Sequence, residues 1–246
     1  MRYIDIDISK TLHETGKQSK NGDSMNPLGI EIHPRKEAFK EGIEALAGLA
    51  TSVVSDALGR TIGAVGILPV NKSSVSVCGN AVTVSVRAGD NLMIHKALQI
   101  LQPGDVLVVD GGGDISRALF GEIMMTVAKM NGAIGAVIDG AIRDVDAFEE
   151  HKFPCWARGV NMRGPYKDGP GSINTSIVIG GMVINPGDII LGDCDGIIAL
   201  SPEDCMLGAK LGREKEATER KTIQSILDGK YDASWVDATL KQKGAL

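Results

Sequence analysis

Three charged residues stand at a spacing that could do chemistry. Arg143 and Asp144 are adjacent and directly follow the apolar run GAVIDGAI, and Glu122 lies upstream with twenty residues between it and Arg143. A guanidinium can bind a carboxylate or enolate oxygen through its planar fork, whereas a single carboxylate completed by waters suits Mg²⁺. The residue types therefore indicate a metal ion and a small acid, and a surface ion pair beside a helix glutamate is the alternative.

A second feature adjoins Glu122. A glycine-rich loop runs into a helical pattern at Gly121-Glu122. If the backbone N–H groups of Gly121, Glu122, Ile123 and Met124 lie at a helix start, they form a binding site for a small carboxylate. Both features would then serve the same kind of ligand.

The composition excludes several other classes. A net charge of -5 gives no electrostatic reason to expect nucleic acid or an anionic membrane as partner, and aromatic residues make up only 4%. The glycine run at 111–116 lacks the third glycine of a dinucleotide fingerprint, and no P-loop, HExxH or GxSxG motif occurs. The four histidines are scattered singly, and no apolar run is long enough to cross a bilayer. We expect a cytoplasmic protein.

The elements that must position these residues alternate between strand and helix. Strand-like runs occupy 75–86, 105–110 and 133–139, and helical patterns occupy 91–101 and 118–132. The stretch 175–200 reads as short strands separated by hairpin turns at Gly-Gly, Asn-Pro-Gly-Asp and Asp-Gly. Together they predict an α/β fold with strong antiparallel character.

The ends of the chain differ from its middle. Residues 1–33 are weakly patterned and predict an N-terminal arm, and residues 34–200 form the α/β core. Residues 201–246 predict a C-terminal helical extension of the same domain, with Ser201 and Ser234 as N-caps of its two helices. The long charged helix within it would be unstable alone, so we expect it to pack on a neighbour.

Several segments resemble the RraA-like family, namely VSDALGR (54–60), GDNLMIHKAL (89–98), QPGDVLVVDGGGDISRALFGE (102–122), GAVIDGAIRDVDAF (135–148) and ARGVNMRGPYKDGPGSIN (157–174). That family contains the class II 4-hydroxy-4-methyl-2-oxoglutarate/4-carboxy-4-hydroxy-2-oxoadipate aldolases, and many of its members carry an older demethylmenaquinone methyltransferase label. It also contains the RraA regulators of ribonuclease E. In its aldolases an acid precedes Arg-Asp by twenty residues, and this pattern is typically broken in the regulators.

The resemblance implies roles for the residues above. Arg143 and Glu122 would be catalytic, Asp144 would bind Mg²⁺ or Mn²⁺, and the substrate would contact Arg143 and the backbone of 121–124. The reaction would release pyruvate from a 4-hydroxy-2-oxo diacid through an enolate, with oxaloacetate decarboxylation as a second activity. Glu122 departs from the aspartate common in the aldolases, and its longer side chain moves the charge.

The resemblance also implies a fold and an assembly. The fold would be a β/β/α swivelling-type sandwich of mixed, largely antiparallel strands with flanking helices. The protein would form homotrimers or hexamers with sites near subunit interfaces, where Glu214, Glu216 or Glu219 could reach a neighbouring site. Asn91, His95 and the 167–171 loop would lie near the site, either contributing to it or serving only the fold. A non-catalytic inhibitor of ribonuclease E is the alternative function.

Overall fold

A computed structural model describes residues 29–60 and 62–246 of the chain. Its helices are α1 (Lys40–Leu46), α2 (Thr51–Ala57), α3 (Leu92–Leu98), α4 (Glu122–Met130), α5 (Val145–Glu150), α6 (Pro202–Leu227) and α7 (Ser234–Gln242). Its strands are β1 (Ile30–Ile32), β2 (Leu68–Pro69), β3 (Val77–Val86), β4 (Asp105–Asp110), β5 (Ala118–Phe120), β6 (Gly135–Ile142), β7 (Cys155–Val160), β8 (Gly171–Ile173), β9 (Ile177–Ile179), β10 (Met182–Ile184), β11 (Ile189–Asp193) and β12 (Gly196–Leu200).

One large sheet organises the structure, with the strand order β1-β8-β3-β4-β6-β7-β2. Strands β3, β4, β6 and β7 are parallel neighbours, and β8, β2 and β11 join this group antiparallel. The α/β class and the mixed sheet are confirmed. The middle of the sheet is parallel rather than antiparallel, because α3, α4 and α5 provide the crossovers that parallel strands require.

The sheet is the middle of three layers. Helices α3, α4 and α5 pack on one face against a core that includes Leu107 and Ile138. The β9-β10 hairpin packs on the other face against a core that includes Val108 and Trp156. Strands covered on both faces read as continuous apolar runs, and β6 is buried at every position. A hairpin, a sheet and a helical layer thus form a β/β/α arrangement.

A third apolar cluster joins the first two helices to the last two strands and the start of α6. Helices α1 and α2 pack with the first part of α6 on the β11-β12 pair, with Leu46, Val54 and Cys205 at its centre.

The second part of α6 and all of α7 leave apolar side chains exposed, among them Ile226 and Trp235. No helix in the described ranges is long and apolar enough to cross a membrane. The cytoplasmic location remains a prediction.

Several boundaries differ from the sequence expectation. The helix predicted over 118–132 is shorter, since 118–120 forms β5 beside β6. The turn at 185–188 joins β10 to β11, which do not pair, so only the flanking turns close hairpins. Ser201 caps α6 by accepting the N–H of Asp204, but α7 begins at Ser234 itself. Of the predicted arm, 1–28 lies outside the described residues and 30–32 forms β1.

Candidate functional site

The candidate site lies where β5 ends and α4 begins. Strand β5 is fully buried beside β6, and the chain leaves it through Gly121, whose extended backbone is the N-cap of α4. The helix starts at Glu122, as the proposed carboxylate site requires, and its first bond runs from the Met125 N–H to the Gly121 carbonyl at 2.9 Å. The helix therefore begins four residues later than the predicted 118–132, and the binding of a carboxylate at its start stays a prediction.

Gly121 permits a close approach between two segments. A Cβ at this position would lie 2.7 Å from Asp144 Oδ2 and 3.0 Å from Arg143 Cγ. A contact of 2.7 Å essentially never occurs for a real Cβ, and one of 3.0 Å is tight. The absence of a side chain at Gly121 thus lets the end of β6 lie directly against the start of α4.

Asp144 faces the start of α4 from an unusual backbone conformation. It is left-handed, with φ 58° and ψ 44°, and it is the N-cap of α5. Such values are uncommon outside glycine, although Asp adopts them more readily than most residues. The carboxylate accepts the Glu122 N–H at 3.1 Å and complements the positive end of α4. One of the four backbone donors predicted to bind substrate is therefore already occupied.

Arg143 lies beside this carboxylate. Its Nε is 3.7 Å from Asp144 Oδ2, and its backbone N–H donates to the Phe120 carbonyl at 3.0 Å. That backbone bond fixes the start of the side chain, while the side chain itself is 42% exposed. The guanidinium is thus positioned near the helix start but remains accessible to a ligand.

A small cavity connects these groups. Its volume is about 30 Å³, roughly the size of one water molecule. The N–H groups of Ile123 and Met124 have no hydrogen-bond partner among the described residues. Asn91 donates to the Leu119 carbonyl at 3.0 Å, and its own Oδ1 is buried without a partner there. The lining residues are Asn91, Ala118, Leu119, Phe120, Gly121, Ile123, Met124, Arg143, Asp144 and Pro165.

The Glu122 side chain has a partner that the sequence did not predict. Its Oε1 is 3.9 Å from Nε2 of His151, which ends α5. Both side chains are substantially exposed. The scattered histidines offered no signal for this pairing, because only the packing of α5 beside α4 brings His151 to the site.

Other residues considered from the sequence lie apart from the cavity. Burial, together with the nearby charge of Lys167, lowers the pKa of His95, which is not among the cavity-lining residues. In the 167–171 loop, Asp168 donates its N–H to Asp90. Within the described chain, Glu216 and Glu219 form ion pairs along α6, and no three His, Cys, Asp or Glu side chains form a metal-binding group.

Comparisons with known proteins identify the family of the chain. Residues 51–199 match the family described as RraA-like: Aldolase/RraA. The chain is 40% identical over 184 residues to a Halalkalibacterium halodurans protein provisionally named 4-hydroxy-4-methyl-2-oxoglutarate aldolase, covering 73% of this chain and 87% of that protein.

Solved structures show the same fold. An uncharacterized protein from Pseudomonas syringae is 26% identical, with a TM-score of 0.69 over 79% of this chain and 96% of that chain. The RNA-processing inhibitor RraA from Thermus thermophilis is 27% identical, with a TM-score of 0.56 over 61% of this chain and 92% of that chain. With a family match over more than half its length, this chain belongs to the RraA-like family.

Proposed function

We propose that this protein is a divalent-metal-dependent lyase that cleaves 4-hydroxy-2-oxo diacids to pyruvate. The candidate substrates are 4-hydroxy-4-methyl-2-oxoglutarate and 4-carboxy-4-hydroxy-2-oxoadipate. The observation that carries the proposal is the meeting of Arg143, Asp144 and Glu122 at the start of α4. The aldolase name of a relative 40% identical to this chain supports the same class of reaction.

Arg143 and the start of α4 would bind the 2-oxo acid end of the substrate. The N–H groups of Ile123 and Met124 can donate to its carboxylate, and the positive end of the helix dipole favours that charge. The fork of Arg143 can donate to the oxygen on which negative charge develops when the carbon–carbon bond breaks. Because Asp144 uses the Glu122 N–H, substrate binding relies on the remaining donors.

Asp144 is the residue that would hold the metal. Its Oδ1 has no partner among the described residues, and its side chain is 43% exposed. A hard carboxylate donor with room for waters suits Mg²⁺ or Mn²⁺, so the residues fit the ion. A bound divalent ion would supply Lewis-acid polarisation of the substrate's oxygen atoms.

Glu122 would act as the base. Its carboxylate would take the proton of the C4 hydroxyl, directly or through one water. The C3–C4 bond then breaks, the C4 hydroxyl oxygen becomes a carbonyl oxygen, and the bond electrons form the pyruvate enolate. A proton returned to C3 completes pyruvate. His151, 3.9 Å away, would position the Glu122 carboxylate when protonated. Oxaloacetate decarboxylation passes through the same enolate, so we propose it as a second activity.

The exposed apolar residues of α6 and α7 support an oligomer. Ile223, Leu227 and Trp235, on these two consecutive helices, are each more than half exposed, and apolar side chains exposed together mark contact surfaces between proteins. We propose that these helices pack on neighbouring subunits in a homotrimer or hexamer. Size-exclusion chromatography with light scattering tests this, and a monomer at micromolar concentration would contradict it.

The direct test of the lyase is a pyruvate-release assay with purified protein, with and without Mg²⁺ or Mn²⁺ and a chelator. Arg143→Ala should lower kcat/KM by about 10²–10³-fold, as loss of a single oxyanion donor does. Arg143→Lys, which keeps the charge but loses the fork, should recover only part of it. Arg60→Ala is the matched control, because Arg60 is an exposed arginine paired with Asp56 and not part of the site. Metal-independent turnover, or none with any substrate, contradicts the proposal.

The alternative is a non-catalytic regulator of ribonuclease E. The structural likeness to the Thermus RNA-processing inhibitor favours it, since that protein shares the fold. The intact Glu122, Arg143 and Asp144 set favours the enzyme, because the resemblance implies that this pattern is typically broken in the regulators. Recovery of ribonuclease E with the tagged protein, combined with no pyruvate release, would decide for the regulator.

A further inference from the structure

A second group of charges lies at the carboxyl ends of three adjacent parallel strands. Asp110 ends β4 and is the register partner of Asp139 in β6. Ile138 is the register partner of Ala157 in β7, which places Arg158 beside Asp139. Ligands of open α/β sheets characteristically bind in the crevice beyond the carboxyl ends of the strands. This edge of the sheet is therefore a candidate ligand-binding site.

The group faces the hairpin layer rather than the site around Arg143. Side chains alternate along a strand, and residues two positions earlier, Val108, Val137 and Trp156, belong to the core beneath the β9-β10 hairpin. The cleft that opens here has a volume of about 600 Å³, far larger than the cavity at α4, and shares no residue with it. Its lining residues are Val65, Asp110, Gly112, Gly113, Asp139, Arg158, Val178, Gly180 and Gly181.

Arg158 is held in one position. Its Nε donates to Oδ1 of the buried Asp139. It also lies between two glycines, since a Cβ would be 2.9 Å from its guanidinium at Gly66 and 3.2 Å at Gly113. Both glycines have positive φ, so larger residues would be strained there. The two terminal guanidinium nitrogens have no hydrogen-bond partner within the described part of the chain, and the side chain is 31% exposed.

The carboxylates of Asp139 and Asp110 differ in the number of hydrogen bonds that they accept. Asp139 is 4% exposed, and besides Arg158 it accepts the Gly180 N–H at 3.2 Å. Asp110 accepts the Gly112 N–H through Oδ1 at 2.9 Å, but its Oδ2 has no partner among the described residues. One carboxylate oxygen of Asp110 and the outer face of the Arg158 guanidinium thus remain for a ligand.

We propose that this cleft binds a free aliphatic α-amino acid. Its carboxylate pairs with the terminal nitrogens of Arg158, and its ammonium group donates to Asp110 Oδ2. Two carboxylates and one guanidinium give the cleft a local charge of minus one, which disfavours a simple anion but suits a zwitterion. Val65 and Val178 are exposed at the cleft and provide an apolar surface for the side chain.

Arg158 and Asp110 can reach the two ends of one ligand. They stand on strands separated by a single intervening strand, roughly 10 Å apart at the backbone. The Arg158 side chain reaches back toward Gly113, in the loop after β4, so its guanidinium lies on the Asp110 side of the cleft.

Isothermal titration calorimetry with L-leucine as the probe tests the proposal. We expect saturable binding at one site per chain. Two analogues serve as controls: 4-methylpentanoate lacks the ammonium group, and 3-methylbutylamine lacks the carboxylate. Each should bind at least tenfold more weakly than leucine. Equal binding of either analogue, or no saturable binding of leucine or any other aliphatic amino acid at millimolar concentration, overturns the proposal.

Substitutions in the cleft test whether leucine binds there. Asp110→Asn keeps the Gly112 hydrogen bond but removes the charge, so it should weaken leucine binding at least tenfold. Asp114→Asn is the matched control, because Asp114 bonds to Ser116 in the same loop without lining the cleft, and it should bind normally. Arg158→Lys leaves a cation beside Asp139 to preserve folding and should also weaken binding. An unchanged affinity in Asp110→Asn overturns the proposal.

The cleft and the site at α4 can be separated by experiment. Arg143→Ala should leave leucine affinity unchanged, and Asp110→Asn should leave pyruvate release unchanged. Failure of the lyase assay would therefore not affect the amino-acid site, and failure of leucine binding would not affect the lyase. A loss of leucine binding in Arg143→Ala would contradict the assignment to this cleft.

Discussion

Gly121→Ala is the substitution that most sharply tests the candidate site. The Gly121 backbone has φ -156° and ψ -170°, an extended conformation that alanine adopts without strain. The added Cβ would nevertheless lie 2.7 Å from Asp144 Oδ2, whereas ordinary contacts begin near 3.4 Å. The carboxylate must therefore move by about 0.7 Å, the difference between these two distances. The substitution perturbs the site without perturbing the backbone.

The expected effects on activity and stability differ in size. Misplacement of a reacting group by about 1 Å can cost on the order of 10² in rate, so kcat/KM for pyruvate release should fall by roughly 30- to 100-fold. Stability should fall by only about 1 kcal/mol, because the loss resembles that of one helix cap, the Glu122 N–H bond to Asp144. Moving the end of a flexible side chain costs less free energy than moving the backbone.

The pyruvate-release assay and urea unfolding measure the two effects separately. Gly164→Ala is the matched control, since its Cβ would lie 3.6 Å from Arg143 Nη1, an ordinary contact with the same guanidinium. It should retain activity within about twofold, because no atom need move. If Gly121→Ala retained the same activity as Gly164→Ala, the placement of Asp144 against α4 would be irrelevant to catalysis and the reasoning would be refuted.

Two further predictions concern stability. Burial raises the pKa of the Asp188 carboxyl, so the folded protein binds a proton more tightly there than the unfolded chain does. Asp188→Asn, which can still accept the Asn185 N–H, should raise the urea midpoint of unfolding at neutral pH. The difference in midpoint between this variant and the unsubstituted protein should shrink as pH falls through the raised pKa of folded Asp188. A difference that grew in acid would contradict the prediction. Ser201→Ala should cost about 1 kcal/mol by removing the α6 cap bond, measured by the same unfolding curves, whereas Ser234→Ala should cost only a few tenths, since Ser234 makes no cap bond. Equal losses in the two serine variants would contradict the cap assignment.

Local patterns predicted the elements of the site well. The apolar run ends, as β6 does, directly before Arg143, and the predicted helix contains Glu122, which is the first residue of α4. The predicted N-terminal boundary of α4 was wrong, because the apolar residues 118–120 suit either a helix or a strand. Only pairing with β6 decides for a strand there, and that pairing is a tertiary contact.

The twenty-residue spacing acquires a physical reason from the topology. Helix α4 runs away from the site edge of the sheet, a short turn follows, and β6 returns to the same edge, so Glu122 and Arg143 must lie close together. Spacing could therefore predict their proximity. It could not predict which atoms bond, because the Asp144 contact with the Glu122 N–H depends on a left-handed residue and a missing side chain at Gly121. Neither has a local sequence signature, since a glycine at a helix start and an aspartate after a strand are both common in ordinary turns.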